Sequence, residues 1–248
     1  MAAMDKYEVP ELWGRVFSVG TRDPAALLSN CDGDKRRGTT YNAYLVIGKK
    51  KSALVGCVPR ERSQELMGKV DQLVNLSDLA YIIIQNWRPE HCGALLELLS
   101  STTGAIVMTT GTGREELLSR HHLPSDQVHA VKAGNRLELG DRHLEFVELY
   151  GDNELLVFSP DNGMLFSGEF FGEHIAEGIC DEDVDDILGL ARANFDRLLA
   201  DRERAVEEVL GVARGFDVRV IAPAHGVVFK NPRKILDCYQ DWLRLSAP

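Results

Sequence analysis

The sequence predicts an α+β fold in which two mixed β-sheets pack face to face and helices cover the outside. Three observations predict it. Short apolar runs typical of strands alternate with longer runs typical of helices, the pattern occurs twice along the 248 residues, and no linker rich in Pro, Gly or Ser separates the halves. We therefore expect a single domain that covers residues 1–248.

The first half predicts a group of strands followed by helices that alternate with strands. The apolar runs "GRVFSVG", "YNAYLVIG" and "SALVGCV" are typical of strands, and a helix is expected over roughly residues 61–74. The strand "AYIII", a helix from about residue 91, the strand "AIVMTT" and another helix follow.

The second half repeats this order of strands and helices. The segments "NRLELGDRHLEFVEL", "ELLVFS" and "MLFSGE" predict strands, and the Asn-Gly pair in "SPDNGMLFS" predicts a tight hairpin turn. A long helix is expected over about residues 184–211, where the spacing of apolar residues indicates an amphipathic surface helix. The strand "DVRVIAP" and a helix over about residues 232–245 close the chain.

Composition and charge exclude several classes of protein. The net charge of −10 argues against a general nucleic-acid binder, because the basic residues are scattered among more numerous acids. No apolar run is long enough to cross a membrane, and the N-terminus does not resemble a signal peptide. Five cysteines without a C-x-x-C pair fit reduced thiols. We therefore expect a cytoplasmic protein with no nucleic-acid or membrane partner.

Three polar loops, "NWRPEHCG", "SGEFFGEH" and "APAHG", each follow a predicted strand, which is where reactive groups of layered folds usually lie. Imidazoles and carboxylates that converge there could hold Zn, Fe or Mn. The signal is weak on spacing alone, because the three loops are far apart in sequence. Two of the histidines could instead cap a helix or bond loop backbone, and the acids could be solvated. The side chains concerned are Glu90, His91, Glu169, His174 and His225.

Six segments resemble, in order and approximate spacing, the metallo-β-lactamase-like domain of flavodiiron proteins. They are "GTTYNAYLV", "SALVGCV", "IIIQNWRPEHCGALLELL", "LELGDRHLEFVEL", "MLFSGEFFGEH" and "VIAPAHGVVFK". The resemblance implies an αββα sandwich, and in the family this domain holds two irons that reduce O2 or NO with electrons from FMN on a following flavodoxin domain. The sequence stops where that domain would begin, so we expect FMN only through a partner, or else a fragment or a standalone variant.

The same resemblance places the family's metal ligands on this chain. The family's first ligand loop reads H-x-E-x-D-H, the next ligand is a His, the bridging ligand is an Asp, and the last is a His. The positions that correspond to these ligands, in the same order, are Asn86, Arg88, Glu90 and His91, a position near Leu149, Glu169 and His225.

The resemblance implies that one of the two metal pockets is degenerate. Three of the family's ligands bind only one of the two irons. Their positions on this chain are occupied by Asn86, Arg88 and Leu149, and these side chains cannot hold a metal. The ligands of the other iron survive in chemical type and make a possible single Fe or Zn site, formed by Glu90, His91, Glu169 and His225.

Arg88 is expected to replace the charge of the missing metal. Its planar guanidinium can bind the carboxylate of Glu169 or Glu90 through two parallel hydrogen bonds. Two carboxylates and one guanidinium then leave about one negative charge, which permits either one bound ion or none. Around the ligands, Gly56 replaces an Asp that would orient an imidazole, and His174 is expected to hydrogen-bond a ligand from outside.

Three functions follow from the resemblance. The first is a flavodiiron-like protein that is not by itself an O2 or NO reductase and acts as a regulatory, sensory or structural partner. The second is a mononuclear metallohydrolase in which the single metal activates water. The third is a reductase component that receives electrons from a separate flavoprotein. Because the family forms head-to-tail dimers, we also expect a homodimer or a mixed oligomer.

Overall fold

A computed structural model of the chain describes residues 7–26, 38–149, 154–176 and 187–246. The first sheet has seven strands, and its central and last strands run parallel while the strands before them are antiparallel. In spatial order these strands are β1 (Glu11–Trp13), β2 (Val16–Ser18), β5 (Tyr44–Ile47), β6 (Ser52–Val55), β7 (Tyr81–Ile83), β8 (Ile106–Thr109) and β9 (Val128–Ala130).

The second sheet has five strands, of which the first four are antiparallel and the last joins in parallel. In spatial order they are β10 (Arg136–Glu138), β11 (His143–Glu148), β12 (Leu155–Ser159), β13 (Met164–Gly168) and β14 (Val220–Pro223). A separate two-stranded ribbon is formed by β3 (Thr21–Asp23) and β4 (Thr39–Tyr41).

Helices cover the outer face of each sheet. The first sheet packs against α1 (Ser63–Asp71), α2 (Pro89–Cys92), α3 (Leu95–Ser101) and α4 (Gly111–His121). The second sheet packs against α5 (Ile187–Gly215) and α6 (Arg233–Ser246). Two short 3-10 helices span Arg60–Arg62 and Leu76–Asp78.

Apolar side chains fill all three interfaces between these layers. The inner faces of the sheets bury Tyr44, Phe146 and Phe166 against each other. Leu66 lies in the interface with the first helix layer, and Phe195 lies in the interface with the second. Burial of this much apolar surface is the main driving force for the layered arrangement. The predicted sandwich of two mixed sheets flanked by helices is confirmed.

Three elements can be compared in detail with the prediction. The helix expected from residue 91 is two short helices, because the Ala94 amide donates to the Val58 carbonyl at 2.9 Å and ends the first of them. The expected hairpin is present, with Ser159 opposite Met164 and Gly163 at φ +60°. The described part of the long helix begins at residue 187 and ends at 215, and residues 184–186 of the prediction lie outside the described residues.

The long helix α5 contains one break. At Arg202 the backbone has φ −145° and ψ 39°, which is far from helical geometry. No helix in the described ranges combines the length and the apolar character that crossing a membrane requires.

Candidate functional site

The parallel pair of β13 and β14 brings two of the three polar loops together. Gly168 lies opposite Pro223 in the register, and the Ala224 amide donates to the Gly168 carbonyl at 2.7 Å. The residues that follow the two strands, Glu169 and His225, therefore leave the sheet at the same edge.

The third loop comes from the first sheet and is tied to the second. The side-chain amide of Gln85 donates to the carbonyls of Leu155 and Phe166 at 2.9 and 3.0 Å. The Leu155 amide donates back to the Gln85 carbonyl at 2.9 Å. These bonds fix the start of "NWRPEHCG" against β12 and β13, so Asn86, Arg88 and His91 face the other two loops.

Glu169 is at the centre of the site and is almost fully buried. Its Oε1 accepts a hydrogen bond from Nη1 of Arg88 at 3.1 Å, and Nε2 of His91 lies 3.4 Å from the same oxygen. Its Oε2 accepts from Nη1 of Arg202 at 2.9 Å, with Nη2 of Arg197 at 3.7 Å. Three guanidiniums therefore surround one carboxylate.

The predicted contact between Arg88 and Glu169 is confirmed, but the predicted pair of parallel hydrogen bonds is wrong. Only one nitrogen of Arg88 bonds the carboxylate, and 47% of its side chain is exposed. The reason is that Arg202 holds the second oxygen from the buried side. The expected surplus of about one negative charge is wrong for the same reason, since it counted only one guanidinium.

Arg202 was missed by sequence reasoning because it lies in a segment with the pattern of an ordinary amphipathic helix. The break in α5 occurs at this residue, and its guanidinium lies over the Phe170 ring, 4.6 Å from the centroid. Only 15% of the side chain is exposed. The local sequence carries no signal for an inward-facing guanidinium here.

Glu154 is a second buried carboxylate that sequence reasoning missed. It has no exposed surface, and its Oε2 accepts a hydrogen bond from the side-chain amide of Asn86 at 2.9 Å. Nη2 of Arg202 lies 3.5 Å from the same oxygen. Gly168 has φ +59°, and a Cβ at this position would lie 2.6 Å from Cδ of Glu154, so the carboxylate fills space that only glycine leaves open.

The two carboxylates differ in their preferred charge. Burial and the charge of Glu169 both raise the pKa of Glu154, which favours its neutral form. Burial also opposes ionisation of Glu169, but contact with His91 and the charges of Arg197 and Arg202 outweigh burial and lower its pKa well below the usual range. Glu169 is therefore the more acidic of the two carboxyl groups.

Three histidines lie beside Glu169. Nδ1 of His225 lies 2.6 Å from the Thr40 carbonyl, so that nitrogen carries a proton, and Nδ1 of His174 lies 3.0 Å from the Thr39 hydroxyl. The ring centroid of His225 lies 4.7 Å from that of His174 and 5.1 Å from that of His91. The three rings therefore form one cluster.

The histidines also differ in charge. Burial lowers the pKa of His225, and burial together with Arg197 lowers that of His174 to about 4, so both rings are neutral at pH 7. Burial also acts to lower the pKa of His91, but its contact with Glu169 and the charge of Glu154 outweigh burial and raise it.

The remaining predicted positions lie away from this cluster or only at its edge. Leu149 packs in the apolar core between the second sheet and α5, and residues 150–153 lie outside the described residues. Gly56 has φ +80°, a conformation that disfavours a side chain of any kind. Glu90 is half-buried and makes no hydrogen bond or ion pair with any described residue.

Comparison with known protein families gives one match that covers most of the chain. A family model described as ODP family beta lactamase matches residues 39–226. This range includes the three polar loops and all three histidines of the cluster.

Curated relatives carry the name anaerobic nitric oxide reductase flavorubredoxin. The protein from Klebsiella pneumoniae is 30% identical over 216 residues, which are 83% of this chain and 45% of that protein. The protein from Salmonella typhi has the same identity and coverage. The chain therefore spans about half the length of the curated relatives it matches.

Solved structures with the same fold include the rubredoxin oxygen:oxidoreductase of Desulfovibrio gigas. It superposes with a TM-score of 0.84 and 25% identity, covering 96% of this chain and 61% of that one. A metal-soaked flavodiiron core from Synechocystis superposes with a TM-score of 0.85 and 23% identity, covering 96% of this chain and 60% of that one. The second likeness concerns the fold alone.

Proposed function

We propose, from the premise that this chain belongs to the ODP beta-lactamase family and has the metallo-β-lactamase-like fold of flavodiiron cores, that it is a flavodiiron-like protein with a degenerate metal site. By itself it does not reduce O2 or NO. It acts instead as a regulatory, sensory or structural partner in the handling of one of these gases.

One observation carries the proposal. Both oxygens of Glu169, the residue that corresponds to the family's bridging ligand, are held by guanidiniums, with Arg88 on Oε1 at 3.1 Å and Arg202 on Oε2 at 2.9 Å. Charge-assisted hydrogen bonds of this kind are the strong ones in proteins. A metal that used this carboxylate would have to displace a fixed cation.

The residues present do not fit a pair of irons. Asn86 uses its side-chain amide to donate to Glu154, and Arg88 brings a positive charge where the family has a carboxylate ligand. Three guanidiniums within 4.0 Å of Glu169 outnumber the two buried carboxylates, Glu154 and Glu169. A divalent ion would add to this surplus of positive charge.

The same observation weighs against a mononuclear metallohydrolase. That function needs Glu169 as a ligand together with Glu90, His91 and His225. Glu169 is engaged by arginines, and Glu90 makes no polar contact with the rest of the described site. The hydrolase therefore has less support than a protein whose site is occupied by its own side chains.

The curated relatives carry the name anaerobic nitric oxide reductase flavorubredoxin, and this name supports a role beside a flavoprotein in the handling of nitric oxide. We infer a homodimer or a mixed oligomer in the cytoplasm, in which a flavoprotein or a signalling protein is the second component. Size-exclusion chromatography with light scattering, on the protein alone and mixed with a family flavoprotein, measures this association. A strictly monomeric protein that binds no family member would contradict the partner role.

Metal analysis tests the loss of the metal site. The protein is purified from cells grown with added iron or zinc and measured by plasma mass spectrometry, beside the Klebsiella flavorubredoxin as a positive control for loading. We expect well under one equivalent of metal in this protein and full loading in the control. One equivalent of tightly held metal would support the hydrolase, and two would overturn the proposal.

An activity measurement completes the test. O2 or NO consumption is followed with a reduced flavoprotein as electron donor, again with the flavorubredoxin as positive control. We expect no consumption above that of the donor alone, because the degenerate site that we propose would hold no metal to bind the gas. Turnover that depends on this protein would favour the reductase component instead.

A further inference from the structure

We propose that Arg88 and Arg197 form a binding site for a small anion, a carboxylate or an oxyanion, on the exposed side of Glu169. This inference rests on the proposed function in one respect, since it requires that no metal ion holds Glu169. It concerns the two arginines that remain partly exposed, whereas Arg202 lies on the buried side.

The first support is the position of the two guanidiniums. Nη1 of Arg88 lies 3.1 Å from Oε1 of Glu169, and Nη2 of Arg197 lies 3.7 Å from Oε2 of the same carboxylate. Both nitrogens are therefore within 4 Å of one carboxylate group. The two guanidiniums therefore lie beside the same carboxylate, and each is a planar group of the kind that commonly binds carboxylate and phosphate.

The second support is that most of their donors are unused. Within the part of the chain that the structure describes, the Arg88 side chain makes one hydrogen bond, to Glu169. The Arg197 side chain also makes one, to Oδ1 of Asn194 at 2.8 Å. Each guanidinium has five N–H donors, so most of them remain available. With 47% and 35% of these side chains exposed, an anion from solvent can reach them.

The third support is that Arg197 is held in place. Asn194, which accepts its hydrogen bond, is buried and donates from its amide to the carbonyls of Glu169 and Gly172 at 3.1 and 2.8 Å. The loop after β13 therefore positions Arg197 through Asn194. A guanidinium fixed before binding loses less side-chain entropy when it takes up a ligand.

The fourth support is the balance of charge. Arg202 already neutralises the single negative charge of Glu169, because its Nη1 lies 2.9 Å from Oε2 of that carboxylate on the buried side. Arg88 and Arg197 then add positive charge that no described carboxylate within 4.0 Å other than Glu169 offsets. The charge of Glu90 would act against the binding of an anion, because this half-buried carboxylate is only two residues from Arg88 in the sequence. The local field at the two exposed guanidiniums is positive on this count.

Titration with two defined anions tests the site. Acetate represents a carboxylate and inorganic phosphate represents an oxyanion, and each is added to the metal-free protein at an ionic strength held constant with chloride, with heat or amide shifts as the readout. We expect one saturable site for at least one of the two. Arg88→Gln and Arg197→Gln should each weaken binding about tenfold or more, because a charge-assisted hydrogen bond is lost.

Matched variants separate a built site from general attraction. Arg88→Lys keeps the charge but loses the fork, so it should also weaken binding several-fold. Arg60→Gln removes an arginine that is 76% exposed and paired with Glu97 at 2.8 Å, and it should leave the affinity unchanged. Glu90→Gln should leave binding equal or tighten it, because it removes the opposing charge.

Two results would overturn the inference. One is the absence of saturable binding of either anion below about 10 mM. The other is an equal loss in Arg60→Gln and Arg88→Gln. The metal content of the same sample separates this failure from that of the proposed function: a metal-free protein without an anion site refutes only the present inference. Circular dichroism of each variant shows whether a loss of binding reflects a loss of folding.

Discussion

Nη2 of Arg202 lies 3.5 Å from Oε2 of Glu154, a carboxylate with no exposed surface. Nη1 of the same guanidinium lies 2.9 Å from Oε2 of Glu169, so one side chain bridges two buried acids. The backbone of α5 leaves helical geometry at this residue. Interruption of the helix and entry of the guanidinium into the site therefore occur at the same position.

Arg202→Ala should destabilise the protein by about 3 kcal/mol, because it leaves two buried carboxylates without their shared cation. Urea unfolding at pH 7 measures the change in the free energy of unfolding. Protonation of Glu154 can offset part of the loss, so the destabilisation should shrink when the same measurement is made near pH 5.

Arg204→Ala is the matched control for this prediction. Arg204 lies two residues further along α5, with 66% of its side chain exposed and its Nε 3.2 Å from Glu208. Exposed pairs of this kind contribute little, so the change should stay within about 0.5 kcal/mol. Equal effects of the two substitutions would show that Arg202 has no special role.

Gly168→Ala should destabilise the protein by about 2 kcal/mol or more, because the residue has φ +59° and the new methyl group would overlap the carboxylate of Glu154. Thermal unfolding measures the effect. Gly211→Ala is the control, since nothing lies within 4 Å of a Cβ there and the helix should gain up to about 1 kcal/mol. Adding Glu154→Ala to Gly168→Ala should remove the steric overlap but not the backbone strain.

The fold and half of the site could be predicted from the sequence. The strands are visible as apolar runs, and Asn162 and Gly163 mark the hairpin that places Glu169 at a strand end. The family resemblance places Arg88 at a ligand position, where its charge would replace that of a metal, and this predicts the contact with Glu169 or Glu90; the structure has the contact with Glu169. Arg202 could not be predicted, because its contact with Glu169 spans 33 residues and depends on a backbone break within a segment of ordinary helical pattern.

Glu173→Gln should make the protein more stable at high pH. Burial raises the pKa of Glu173 to about 8, and within the described residues its Oε2 lacks a hydrogen-bond partner. The unfolded carboxyl titrates near pH 4.3, so the stability that Glu173 contributes is full below that pH and is lost as pH rises through about 8. The variant avoids this loss, and the two unfolding curves should differ by at least about 1 kcal/mol at pH 8.

Asp141→Asn should change the stability with the opposite dependence on pH, and it therefore checks the sign of the prediction for Glu173. Contact with Arg15 and the amide of Lys49 lowers the pKa of Asp141 to about 2, so its contribution is present at neutral pH and is lost as pH falls through that value. The variant should be less stable than the wild type at pH 7 and equal to it at the acid limit. A pH-independent difference in both variants would contradict the assigned charges.

Restoring the family's ligands at positions 86 and 88 should not be enough for the site to bind metal. Asn86→His with Arg88→Glu replaces the side chains that the family resemblance marks as lost, but Arg202 still holds Oε2 of Glu169. We expect metal uptake below one equivalent in this double variant and an increase once Arg202→Ala is added. Full uptake by the double variant alone would show that Arg202 is easily displaced.

The cations that hold Glu169 are side chains of the protein itself: Arg88 comes from the loop before α2, and Arg197 and Arg202 come from α5. A covalently attached guanidinium cannot be removed by a chelator or left out during growth in iron-poor medium. Arginine is also inert to the redox cycling that damages metallocentres. The shape of this pocket is therefore complete as soon as the chain folds, whatever the state of the cell's iron supply.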